Sequence, residues 1–178
     1  MRVVAGKHRG RRLHSPAGAT TRPTADRVRE AVFSILGPLD GLNVLDLYAG
    51  SGALGIEALS RGAAAATFVE HDRAALATIE ANLTTIGERA SVLRRDVVSY
   101  LEAVAVQDSA QFDVVFADPP YSSAGLIGEH LSRLLPGVLA SEARIVTESD
   151  KRNPLLLDLP LESERIYGGT RIVIHNAH

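Results

Sequence analysis

The chain contains no cysteine. That excludes a disulfide framework, a thiolate metal site and a cysteine nucleophile. Its six histidines are scattered, and none pairs with another ligand type at metal spacing, so no metal is expected. No apolar run approaches the roughly 20 residues that a membrane helix needs. Arg2 stands near the N-terminus with no apolar segment behind it, so no signal peptide is expected. These absences point to a soluble cytoplasmic protein, and a monomer is the plain expectation. Internal repeats and low-complexity tracts are also missing. What remains is 178 residues, 46% of them hydrophobic. That suits one domain with a sizeable core and a small appendage.

The formal net charge of -2 hides an asymmetry. Residues 1–30 hold Arg2, Lys7, Arg9, Arg11, Arg12, Arg22, Arg27 and Arg29 against Asp26 and Glu30, a local charge of +6 that leaves -8 on the rest. A basic arm on an acidic body suits a polyanion met at one end. The arm is interleaved with Val3, Val4 and Leu13, which a disordered tail would have little use for.

Residues 2–5 and 11–14 read as two short strands joined across Gly6 to Gly10, a small basic hairpin. Residues 15–23, with Pro16, Gly18 and Pro23, read as a linker. Residues 1–20 are therefore taken as arm and linker, and residues 21–178 as the main domain. Thr24 can cap a helix reaching Leu36, with Val28, Ala31, Val32 and Ile35 on one face. From there strand and helix patterns alternate. Strands are expected at Asn43 to Leu47, Ala66 to Glu70, Ser91 to Leu93, Asp113 to Ala117 and Arg144 to Glu148. Helices are expected at Ala53 to Ser60, Asp72 to Gly87, Val97 to Val106 and Leu126 to Leu135. Glu162 to Tyr167 and Thr170 to His175 flank Gly168-Gly169, a two-residue hairpin signal. The pattern predicts a doubly wound α/β sheet, mostly parallel, with helices on both faces and a C-terminal antiparallel hairpin.

Gly50, Gly52 and Gly55 fit G-x-G-x-x-G after a strand. Alone, that pattern suggests a dinucleotide site. Here Asp46 sits inside the strand end, and Tyr48-Ala49 precede the first glycine. Asp46-Leu-Tyr-Ala-Gly-Ser-Gly52 resembles the S-adenosylmethionine (AdoMet) loop of class I methyltransferases. There the acid faces the methionine part, and glycines let backbone come close to the ligand. The next helix N-terminus can face the methionine carboxylate. Glu70 ends the second strand, where a carboxylate can accept both ribose hydroxyls. Asp96 follows the third strand and could accept the adenine amino group. Each acid alone could be an exposed strand-end residue. Three of them at the carboxyl ends of successive strands, beside a Gly loop, mark the ligand edge of such a sheet.

Phe112-Asp-Val-Val-Phe-Ala-Asp-Pro-Pro-Tyr121 is the most specific stretch. A rigid strand exit would explain the two prolines, but not the Asp before them or the aromatic after them. The chemistry of an exocyclic base amine explains all four. Its lone pair is delocalised into the ring, and methyl transfer asks the nitrogen to become tetrahedral as positive charge develops. Asp118 can accept one of its hydrogens, and a carbonyl of Pro119–Pro120 the other. Proline fixes φ and so holds that carbonyl in place. Tyr121 can stack on a flipped base. The leaving thioether is neutral and needs no general acid, so no Ser/His/Asp device is expected.

Residues 2–13, Arg22-Pro23-Thr24, Arg29 to Phe33, Asp46 to Gly52, Asp118 to Tyr121 and Tyr167-Gly168 resemble the RsmD family over essentially the whole chain. These bacterial enzymes methylate N2 of one guanine in 16S ribosomal RNA. The resemblance implies AdoMet as donor and S-adenosylhomocysteine as product. It implies a seven-stranded Rossmann-like sheet, a basic hairpin that helps hold RNA, and a small ribosomal subunit, partly or fully assembled, as partner. Asp118, Pro119, Pro120 and Tyr121 would contact the guanine. Thr24, Asp46, Tyr48, Ala49, Gly50, Ser51, Gly52, Glu70, His71, Asp96 and Val97 would hold the cofactor. Arg2, Lys7, Arg9, Arg11, Arg12 and Arg22 would meet RNA. Three rivals stand beside this reading. An adenine N6-methyltransferase can use the same Asp-Pro-Pro-Tyr. An NAD-dependent oxidoreductase fits the glycines but gives that segment no role. A non-catalytic RNA-binding assembly factor would have no need of Asp118.

Overall fold

A computed structural model describes residues 1–15, 26–105, 111–120 and 124–178. After the N-terminal arm come α1 (Asp26–Leu36), β1 (Asn43–Leu47), α2 (Ala53–Ser60), β2 (Ala65–Glu70), α3 (Arg73–Ile86), β3 (Ser91–Arg94) and α4 (Val97–Ala105). They are followed by β4 (Phe112–Ala117), α5 (Ala124–Leu134), β5 (Leu139–Asp150), β6 (Leu161–Tyr167) and β7 (Thr170–Asn176). The seven strands form one sheet in the order β3-β2-β1-β4-β5-β7-β6. β1 to β5 run parallel, and β7 pairs antiparallel with both β5 and β6. The strand order reverses between β1 and β4, which opens a crevice at their carboxyl ends.

The central strands are apolar because both their faces are covered. On one face, Val28, Val32 and Phe33 of α1, Ile56 of α2 and Ile79 and Leu83 of α3 pack on Val44, Phe68, Phe116 and Val146. On the other, Leu101 of α4 and Leu131 of α5 pack on Leu45, Leu47, Val115 and Ile145. α3 shows how local signals set an element. Asp72 caps it by accepting the Ala75 N–H at 2.8 Å, and Gly87 ends it at φ +75°.

Two details depart from expectation. The buried face of α1 is Val28, Arg29, Val32, Phe33 and Leu36, rotated from the apolar stripe toward Arg29. The Arg29 guanidinium reaches the Arg2 carbonyl and bonds Asp26 at 2.9 Å, so its charge is spent inside the fold. β5 begins five residues earlier than the apolar run suggests, because α5 runs into a 3-10 turn over Leu135–Val138. Pro136 cannot continue the helix there.

The arm pairs through a single antiparallel bridge, Arg2 with Arg12. It lies on the groove between α2 and α3. Val3 and Leu13 are in the core. The buried Glu57 carboxylate accepts the N–H groups of Val4 at 2.7 Å and Ala5 at 2.9 Å. Gly6 has φ +81°, and a Cβ there would sit 1.8 Å from the Ser60 carbonyl oxygen. Only glycine lets the arm lie this close to α2.

Candidate cofactor and base-binding site

The site is built at the carboxyl ends of β1, β2, β4 and β5. Asp46 is buried at the end of β1, and its Oδ2 accepts the Gly55 N–H at 2.9 Å. Burial pushes its carboxyl up to about 7; the Gly55 hydrogen bond pulls against this and nearby Glu70 adds to it. Gly55 is small for a reason. A Cβ there would lie 2.4 Å from the Phe68 ring and 3.1 Å from Asp46 Oδ2. Its absence lets the first turn of α2 close on the sheet and deliver the N–H.

The loop between β1 and α2 holds Tyr48 at φ +56°, Gly50 at φ +56° and Gly52 at φ +74°. Tyr48 is the one non-glycine residue at positive φ among the described residues. Such strain persists where surrounding structure enforces it, and it gathers at functional sites. Burial and the nearby Asp96 push the Tyr48 phenol up to about 12. Glu70, buried at the end of β2, accepts Gly50 N–H at 2.9 Å through Oε2. Its Oε1 accepts the N–H groups of His71 at 2.8 Å and Asp72 at 2.9 Å. Asp96 is exposed after β3, and its Oδ1 caps α4 through the Ser99 N–H at 2.9 Å. Val97, next to it, is buried.

Asp118 follows β4. Burial first, then the carboxylates of Glu148 and Asp46, push it well above the ordinary aspartate range. The register explains the grouping. Asp46 pairs with Phe116, and Ala117 with Thr147. Asp118 and Glu148, each one residue beyond that last pair, therefore continue on the face that carries Phe116 and Val146. Three carboxylates from β1, β4 and β5 gather on one face. Pro119 is buried and Pro120 exposed. Thr24, Arg22 and Tyr121, expected to bind cofactor, RNA and base, lie outside the described residues.

The arm's cations divide into two sets. Arg2 pairs with Asp26 at 3.5 Å, and Lys7 with Glu88 at 2.7 Å. Arg9, Arg11 and Arg12 are exposed, with no ion pair among the described residues. Sequence reasoning passed over Glu148, Glu57 and Asn82. Glu148 carried a usable signal, an acid closing an apolar strand as Asp46 does. Glu57 and Asn82 are polar residues on the buried faces of α2 and α3 that bond the backbone of the packed arm.

This sheet order, with a Gly loop and acids at its carboxyl edge, defines the Rossmann-like methyltransferase fold. A family model described as "Conserved hypothetical protein 95" matches residues 1–176. Ribosomal RNA small subunit methyltransferase D of Escherichia coli is 42% identical over 158 residues, covering 87% of this chain and 77% of that protein. The Haemophilus influenzae protein of the same name is 38% identical over 161 residues, covering 88% of this chain and 82% of its own. Among solved structures, a hypothetical protein of Thermus thermophilus superposes with a TM-score of 0.84 at 32% identity and covers 99% of each chain. The chain belongs to the RsmD family.

Proposed function

We propose that this protein transfers a methyl group from AdoMet to N2 of guanine 966 of 16S ribosomal RNA in the small ribosomal subunit. The observation that carries the reading is an adjacency on one sheet edge. A cradle of acids and left-handed loop residues at the carboxyl ends of β1 to β3 adjoins Asp118-Pro119-Pro120 just after β4. The similarity to proteins named ribosomal RNA small subunit methyltransferases supports RNA as acceptor.

The donor set fits AdoMet. The ammonium, ribose hydroxyls and adenine amine of AdoMet are all hydrogen-bond donors. Each acid of the cradle braces the fold with part of its capacity and keeps some for a ligand. Glu70 accepts three backbone N–H groups, so of the about four lone-pair sites of a carboxylate one is left, enough for one ribose hydroxyl rather than both. Asp46 and Asp96 each accept a backbone N–H on one oxygen. Asp46 would hold the ammonium, Glu70 the ribose and Asp96 the adenine. Bound there, AdoMet supplies an electrophilic methyl on a cationic sulfur.

The rest of the chemistry belongs to this chain. The Asp118 carboxylate accepts one hydrogen of the guanine N2 amine, and a proline carbonyl accepts the other. This draws the lone pair out of the ring. As positive charge forms on nitrogen, the Asp118 and Glu148 carboxylates stabilise it in a partly dry site. Asp118, raised by burial, then takes the proton. Burial, which holds its carboxyl above the ordinary aspartate range, makes it a stronger base for that transfer. Arg9, Arg11 and Arg12 hold phosphates and orient the RNA. The test is the modification state of 16S ribosomal RNA in a strain lacking the protein. One guanine should lose its N2-methyl group, and the wild-type gene but not Asp118→Ala should restore it. Full modification in the deletion strain would overturn the proposal.

A further inference from the structure

Asn82 joins the arm to the Gly loop. It lies on α3, fully buried beside the apolar stripe Leu76, Ile79, Leu83 and Ile86. Its Oδ1 accepts the His14 N–H at 2.7 Å. Its Nδ2 donates to the His14 carbonyl at 3.1 Å and to the Ser51 carbonyl at 2.9 Å. Two of these bonds grip the return end of the arm as a partner strand would. The third is spent on the loop residue between Gly50 and Gly52. Both amide hydrogens are used, one on the arm and one on the loop, so a single buried side chain ties the two together.

The arm's first residue converges on the same place. Met1 Sδ lies 3.5 Å from Ser51 Oγ and 3.8 Å from Arg29 Nη1. Between its ends the arm is stapled to α2. Glu57 holds Val4 and Ala5, while Ser60 donates to the Ala5 carbonyl at 2.6 Å and accepts His8 N–H at 3.0 Å. The arm is thus a brace on the loop and the helix that present the cofactor cradle. A loop with three residues at positive φ loses conformational freedom when it orders around a ligand. A fixed Ser51 carbonyl has already met part of that cost.

We propose that Asn82 is a positioning residue that makes RNA binding by the arm and cofactor binding by the loop mutually reinforcing. This rests on the reading that the arm holds RNA and the loop holds AdoMet. RNA on Arg9, Arg11 and Arg12 stiffens the arm, His14 passes the constraint to Asn82, and Asn82 passes it to Ser51. The coupling acts on binding free energies, so it is the same factor in both directions. A gain of about fivefold, the low end of typical couplings, is expected because the path is short and already formed.

The test uses the full chain, S-adenosylhomocysteine in place of AdoMet to prevent turnover, and a short 16S ribosomal RNA stem-loop. Calorimetry gives the S-adenosylhomocysteine Kd with and without saturating RNA, and the RNA Kd with and without S-adenosylhomocysteine. In the wild type both ratios should be about five and equal. Asn82→Leu keeps the volume and the apolar stripe but makes none of the three bonds. There both ratios should fall to about one, while RNA alone still binds through the untouched arginines. Equal affinities with and without the second ligand in the wild type would overturn the proposal and need no variant. Asn82→Leu that weakens both ligands but keeps the fivefold ratio would also overturn it, because the residue would then be only structural. Failure of both the stem-loop and small ribosomal subunits to bind would sink the reading of the arm. Failure of S-adenosylhomocysteine to bind would sink that of the loop.

Discussion

With Asp46 holding the cofactor ammonium, as proposed, cofactor binding is expected to release a proton. The Asp46 carboxyl titrates at about 7 in the free protein, chiefly because burial disfavours the charge. An ammonium needs the ionised form, so below that pH binding must expel a proton. At pH about 6, only about a tenth of the sites are ionised, which costs about 1.4 kcal/mol, or tenfold in Kd. At pH about 5 the cost rises to about a hundredfold. Above about 7.7 the ligand's own α-ammonium begins to lose its proton, so affinity peaks in a narrow range just above neutral. Calorimetry in two buffers of different ionisation enthalpy should record close to one proton released at pH about 6, and about half of one at pH about 7. Asp46→Asn should bind more weakly at its best, and its Kd should not change across the acid limb. The free protein gives a second readout of opposite sign. Its folded Asp46 holds a proton that the unfolded chain has shed between pH about 4 and 7, so stability falls as pH rises through that window. Ligand binding should reverse the trend. A Kd that is flat from pH about 5.5 to 7.5, with no proton released, would refute this account of Asp46.

Gly55→Ala places a methyl 2.4 Å from the Phe68 ring; overpacking of this kind should cost about 1–3 kcal/mol in thermal or urea unfolding. It should also weaken AdoMet by displacing the Asp46 partner, whereas a variant of full stability and affinity would show that the close approach is dispensable. Neutralising Arg9, Arg11 and Arg12 should reduce the slope of log K against log salt for RNA by about 2–3, with AdoMet affinity nearly unchanged. Equal loss of both ligands would mark these arginines as structural. Asp118→Ala should lower single-turnover methylation by about 10²–10³ while leaving the S-adenosylhomocysteine Kd in place.

The fold was legible wherever one local rule acted without competition. Asp72 and Gly87 bound α3 because a cap and a left-handed C-terminus are local chemistry. Gly168-Gly169 set the final hairpin for the same reason, with Gly168 at φ +64°. The boundary of β5 was not legible. It depends on α5 tightening into a 3-10 turn at Pro136, which the apolar pattern does not register. The turned face of α1 was hidden too. An arginine reads as surface until the arm supplies a buried carbonyl for it. Among site residues, Asp46, Glu70 and Asp118 stood out because acids closing apolar strands are anomalous. Asn82 and Glu57 did not, since they hold arm backbone groups more than 50 residues away. Long-range hydrogen bonds to backbone leave no periodic trace in a sequence.

The proposed reaction is methyl transfer from AdoMet to N2 of a guanine in 16S ribosomal RNA. The most direct measurement is tritium transfer from labelled AdoMet to small ribosomal subunits lacking the modification, followed by digestion and nucleoside analysis. Label is expected in N2-methylguanosine. Label in N6-methyladenosine, or no transfer from a protein that binds both AdoMet and the subunit, would contradict it.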